Sequence, residues 1–117
     1  MIDFMFVLDA SGSIGTTNFN KMRTLCQQIT GRMQISETAV KVGIVLFHDS
    51  STLELGLSSD GALINSTLQN MPYAAGWTAQ IPGIRTAITE IAQNGRAKAA
   101  KVLYILTDGL ANKRKFF

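Results

Sequence analysis

The sequence predicts a three-layer α/β domain, with a mostly parallel sheet, helices on both faces and one antiparallel hairpin strand at an edge. Three observations carry this. The segments 4–8 (FMFVL), 39–47 (AVKVGIVLF) and 101–108 (KVLYILTD) contain apolar runs without strict alternation, the pattern of strands covered on both faces. Segments with apolar residues at helical spacing lie between them. Two of the three runs end in an aspartate followed by turn residues, at Asp9 and Asp108.

Taken in order, 4–8 is a first strand and DASGSIGTTN is turn chemistry. Phe19, Met22, Leu25 or Cys26, Ile29 and Met33 then recur at helical spacing, with Thr17 or Asn18 as candidate caps. Segment 39–47 is a second buried strand. HDSS turns the chain, and STLELGL (51–57) alternates as an adjacent hairpin strand. SDGALINSTLQNM is a short helix capped by Ser59 or Asp60, and PYAAGWTAQIPG is a loop. A further helix places Ile84, Ala87, Ile88 and Ile91 on one face and stops at Asn94-Gly95. The order is β-α-β-β-α-α-β, without internal repeats. In open sheets of this kind ligands bind at the carboxyl ends of the strands. Three polar clusters fall at that edge: Asp9-Ser11-Ser13, the loop around Thr78, and Thr107-Asp108-Gly109.

The bulk properties narrow the function. The chain has 117 residues, 46% hydrophobic and 16% charged, with a net charge of +3, which suits one small folded domain rather than a disordered chain. The basic KRK run at 113–115 reads as a solvated face or a trailing end, and no broad basic surface with interleaved aromatics points to nucleic acid. Cys26 is the single cysteine, so no internal disulfide forms; it is read as a small core or semi-buried residue. No apolar run reaches membrane-span length, so this chain is not expected to insert into a membrane. Met1-Ile2-Asp3 carries no basic leader segment. The expectation is either a cytoplasmic chain or a piece of a longer secreted protein.

The chemistry concentrates in DASGS. In an extended loop, residues i, i+2 and i+4 point the same way, so Asp9, Ser11 and Ser13 can converge on one point. Carboxylate and hydroxyl oxygens are hard ligands, suited to Mg²⁺, Mn²⁺ or Ca²⁺ over zinc or copper. Two carboxylates at adjacent strand tips repel unless a cation separates them or one is protonated. The plainer alternatives are a helix cap for Asp9, turn serines for Ser11 and Ser13, and a turn with Gly109 for Asp108. His48 reads as a surface turn residue, and Asp49 and Glu54 as solvated.

DASGS, the threonine of GWTAQIPGI, and ILTDG together resemble the three elements of a von Willebrand factor type A (integrin I-like) domain. The resemblance spans essentially the whole chain and implies a Rossmann-like fold bearing a metal-ion-dependent adhesion site. Asp9, Ser11 and Ser13 match the first element, Thr78 the second and Asp108 the third. Trp77 and Gly109 are candidate ligand contacts, Trp77 as a lid or an exposed contact. The implied function is a metal-ion-dependent protein-binding module. A divalent cation, Mg²⁺ first with Mn²⁺ or Ca²⁺ as alternatives, is completed by an acidic side chain of a protein ligand such as collagen or another matrix protein. An extracellular or cell-surface location within a longer protein follows, with an intracellular scaffold in a multiprotein complex as the alternative.

An aspartate-dependent phosphatase is the competing enzyme class. It needs a second aspartate two residues on, where Ser11 stands; the expectation is no enzyme. Relative to the family, residues 1–117 read as a single partial domain ending just past the fourth strand. That strand would then be an edge open to self-association. Ala75 and Gln80 stand where the family often has a glycine and a threonine.

Overall fold

The computed structural model describes residues 1–10, 14–47, 51–71, 73 and 80–106, with backbone only at 80–83. The elements are β1 (Ile2–Asp9), α1 (Thr16–Gly31), β2 (Val40–Phe47), β3 (Ser51–Ser58), α2 (Gly61–Asn70), α3 (Gln80–Asn94) and β4 (Ala100–Leu106). The sheet order is β3-β2-β1-β4. β1 runs parallel to both neighbours, from Ile2 opposite Val40 and Ala100 to Leu8 opposite Leu46 and Leu106. β3 returns antiparallel to β2, with register shifts between Val42 and Val45.

The apolar strands do not alternate with polar residues because both faces are covered. On one face, Phe6 and Leu8 of β1 and Val42, Ile44 and Leu46 of β2 pack with Phe19 and Cys26 of α1 and Ile64 and Leu68 of α2. On the other, Met5, Val7, Val45 and Phe47 pack with Ala87 of α3, flanked by Ile91, Leu103 and Ile105. Successive side chains of one strand therefore enter different cores. Gly43 lies in this close packing: a β-carbon there would run into Met5 Sδ and lie 3.2 Å from the Leu55 carbonyl oxygen.

Three local expectations change. Gly15, not Thr17 or Asn18, is the N-cap of α1; it makes no side-chain cap, and Asn18 Nδ2 instead donates to the Ile14 carbonyl at 3.0 Å. The chain enters α1 through a backbone turn with Gly15 at φ 79°, and because the helix starts at Thr16, Thr17 and Asn18 lie inside it, past the cap position. Ile88 is 51% exposed, because α3 turns Ala87 and Glu90 to the sheet instead. Glu90 is buried. Its Oε2 accepts from Leu57 N at 2.8 Å and its Oε1 from Asn94 Nδ2 at 2.8 Å, so a carboxylate satisfies a β3 amide beside the irregular register. Glu54 is half-buried rather than fully solvated. For α2, Asp60 is the cap, accepting from Leu63 N at 3.2 Å.

Candidate metal centre

β1 delivers Asp9 to the carboxyl edge of the sheet, fully buried. Ala10 N donates to Phe47 O at 2.8 Å, which carries the β1–β2 ladder one residue beyond Asp9 and fixes where the loop departs. The loop re-enters at Ile14, buried in the core formed with α1 and α2. Gly15 then takes a positive φ, a conformation costly for a residue with a β-carbon, and its carbonyl accepts from Phe19 N at 3.0 Å as α1 starts. The two ends of the DASGS loop are thus set by a sheet bond and a glycine turn.

Of the residues expected to form the centre, Asp9 is described. Ser11, Ser13, Thr78 and Asp108, the candidate contacts Trp77 and Gly109, and also His48, Asp49 and Ala75 lie outside the described residues. The framework around them is defined. Leu8 and Leu106 are register partners, so the segments after β1 and β4 leave from neighbouring positions on one edge. Among the described residues no three His, Cys, Asp or Glu side chains group as a metal site. The donor set of the predicted centre, two carboxylates and three hydroxyls, fits a hard divalent cation by its chemistry.

Tyr73 is a contributor that sequence patterning did not single out. Its hydroxyl accepts from Gly15 N at 3.1 Å, across 58 positions of chain. Its ring lies 5.0 Å from that of Phe19. The Arg23 guanidinium sits 5.7 Å from the Phe19 ring centroid, and its Nη1 donates to the carbonyls of Gln69 and Met71 at 3.0 and 3.3 Å. The end of α2 and the start of the segment leading to Thr78 are therefore fastened to the start of α1. A lone tyrosine in a loop offers no periodicity from which this could be read.

A second polar centre, also without a sequence signal, occupies the opposite edge. Asp3 is fully buried. Its Oδ1 accepts from Arg96 Nε at 2.8 Å, and its Oδ2 from Arg96 N at 2.7 Å and Lys101 Nζ at 2.6 Å. Arg96 further donates to the carbonyls of Glu37, Ile2 and Ala39 at 2.7, 2.7 and 2.9 Å. Burial pushes the Asp3 carboxyl upward, but Lys101 and the Arg96 amide and guanidinium outweigh it and hold the group below its ordinary value of 3.8. This cluster joins β1, the α3–β4 turn and the entry to β2 at the end remote from Asp9. Cys26 is different in kind: burial pushes its thiol up to about 12, the state of an inert core residue.

Comparison with known proteins places this geometry. The model of the von Willebrand factor type A domain matches residues 3–115. The mouse collagen alpha-5(VI) chain is 35% identical over 114 residues, covering 93% of this chain and 4% of the relative. Mouse vitrin is 30% identical over 109 residues, covering 92% and 17%. The chain thus spans a small part of these relatives. Among solved structures, proximal thread matrix protein 1 from the mussel byssus, described with a zinc-occupied MIDAS motif, aligns with a TM-score of 0.83 at 30% identity, covering 92% of this chain and 28% of that one. The pilus tip protein Mfa5 of Porphyromonas gingivalis shares the fold, with a TM-score of 0.78 at 20% identity over 94% of this chain and 20% of that one. The matched family model spans β1 to beyond β4, the elements that carry Asp9 and its surroundings, and the chain belongs to the von Willebrand factor type A domain family.

Proposed function

We propose that this domain is a metal-ion-dependent protein-binding module of an extracellular matrix or cell-surface protein. The observation that carries this is Asp9, buried at the carboxyl end of the central strand and opening the D-x-S-x-S segment of a family member. Asp9, Ser11, Ser13, Thr78 and Asp108 would hold the ion. When bound, the cation supplies a coordination position for a carboxylate. Specificity then belongs to the surrounding loops, with Trp77 and Gly109 as ligand contacts. Collagen and vitrin relatives support matrix proteins as the partner class. The mussel relative with zinc in its MIDAS motif adds zinc to Mg²⁺, Mn²⁺ and Ca²⁺ as ions to test, although the oxygen donor set favours the harder ones. The proposed role is non-enzymatic, since Ser11 stands where a phosphatase of this strand-tip type needs its second aspartate.

The test is thermal unfolding in EDTA and in each of the four ions, with Asp9→Ala alongside. At about 100-fold excess over the dissociation constant, binding adds about 2.7 kcal/mol, roughly 10 °C for a domain this size. The expected result is a cation-dependent rise that Asp9→Ala abolishes. A melt indifferent to all four ions rejects the proposal.

A further inference from the structure

The described surface carries one modification motif that the metal-site reading does not use. Of the six asparagines in the sequence, Asn65 alone begins an Asn-x-Ser/Thr triplet, Asn65-Ser66-Thr67, the acceptor pattern for N-linked glycan in secreted proteins. It lies within α2, and the helix sorts its residues by face: Ile64 and Leu68 are buried in the core, whereas Asn65 and Ser66 are exposed. The Asn65 side chain meets α1 through its oxygen, where Oδ1 accepts from Gln27 Nε2 at 3.2 Å. That bond does not use Nδ2, the atom to which a sugar attaches.

The folded helix is not the form in which transfer would occur. Thr67 Oγ1 donates to the Leu63 carbonyl at 2.8 Å, one turn back along the helix, so the threonine hydroxyl is directed away from a local Asn65–Thr67 arrangement. α2 has 10 residues, below the length at which an isolated helix is stable in water. Its helicity depends on docking Ile64 and Leu68 against the sheet, so before docking the triplet is not held in a helix. In the folded domain a group on Asn65 Nδ2 would leave from the exposed side of α2, away from the buried Ile64 and Leu68.

We propose that Asn65 is an N-glycosylation site, modified before α2 docks. This rests on the extracellular placement proposed above. In the transfer, Asn65 Nδ2 forms a bond to the anomeric carbon of a lipid-pyrophosphate-linked oligosaccharide. The bond from that carbon to the pyrophosphate oxygen breaks, the lipid pyrophosphate leaves, and Nδ2 loses one proton; no redox partner is needed.

The experiment secretes the chain from animal cells behind an added signal peptide and measures its mass before and after a peptide N-glycan amidase. The expected result is a loss of one glycan's mass, with aspartate replacing asparagine at position 65. Asn65→Gln and Thr67→Ala each abolish the shift, and Thr67→Ala does so while keeping Asn65 and its bond to Gln27. A bacterially made, refolded chain stays unmodified when added to microsomes, whereas the chain translated in their presence is modified. A secreted chain carrying no glycan at Asn65 overturns the assignment whatever the location of the parent protein. A modified product by this route, beside an unmodified Asn65 in protein from its source, overturns the modification in the organism and leaves the extracellular placement to be decided by the protein's location.

Discussion

The Asp3–Arg96 pair is the interaction whose loss the structure prices most directly. Arg96→Met removes the Nε bond to Asp3 and the donors to the Ile2, Glu37 and Ala39 carbonyls, yet retains an unbranched apolar stem that reaches about as far as Nε. Asp3 has no solvent exposure and Arg96 little, 16%, so water screens the pair weakly. Stranding one member of a buried pair costs about 3–5 kcal/mol. Here the lower end applies, because Lys101 Nζ and the Arg96 amide still reach Asp3 Oδ2. About 3 kcal/mol is a substantial share of the roughly 5–15 kcal/mol by which domains are stable.

The assay is urea unfolding of wild type, Asp3→Asn, Arg96→Met and the double variant, repeated from neutral to acid pH. The double variant should cost at least 1 kcal/mol less than the sum of the singles, within the range of about 0.5–3 kcal/mol found for contacting residues. The pH dependence has a definite sign. The folded Asp3 carboxyl lies below its unfolded value of 3.8, so its contribution is present above that pH and is lost as pH falls through the folded value. Arg96→Met removes part of what depresses it and should move acid unfolding to higher pH, and Asp3→Asn should remove this component of the acid limb. Additive single variants, or a cost for Arg96→Met below about 1 kcal/mol, would refute the argument that the pair acts as a buried unit.

Two further outcomes follow from the packing. Gly43→Ala should destabilise by about 1–3 kcal/mol in chemical denaturation, since the added carbon meets Met5 and the fixed Leu55 carbonyl; unchanged stability would show that the sheet yields there. Tyr73→Phe keeps the ring beside Phe19 but removes the acceptor for Gly15 N. If that bond holds the loop leading to Thr78 against the DASGS loop, titration calorimetry should show cation affinity weakened by about fivefold, the equivalent of roughly 1 kcal/mol. A loss of melting temperature in EDTA with affinity unchanged would assign the hydroxyl to stability alone.

The sequence by itself determined the strand and helix order and the parallel core with its hairpin edge, and it narrowed the α2 cap to Ser59 or Asp60. These depend on short-range patterns: a doubly covered strand must be apolar throughout, and a capping side chain lies beside the helix it starts. The motif spacing also pointed to the family, and Asp9 occupies the strand tip that the motif requires. Only the tertiary structure decided how the face of α3 is set: Ala87 and Ile91 meet the sheet as patterned, but Ile88 is exposed and Glu90 is buried, accepting from the Leu57 amide. It alone joined Asp3 to Arg96 across 93 positions and Tyr73 to Gly15 across 58. A hydrogen bond between distant segments leaves no period or local spacing in the chain. It exists only once the sheet has set the strand ends side by side, and so these ties appear in the fold and not in the sequence.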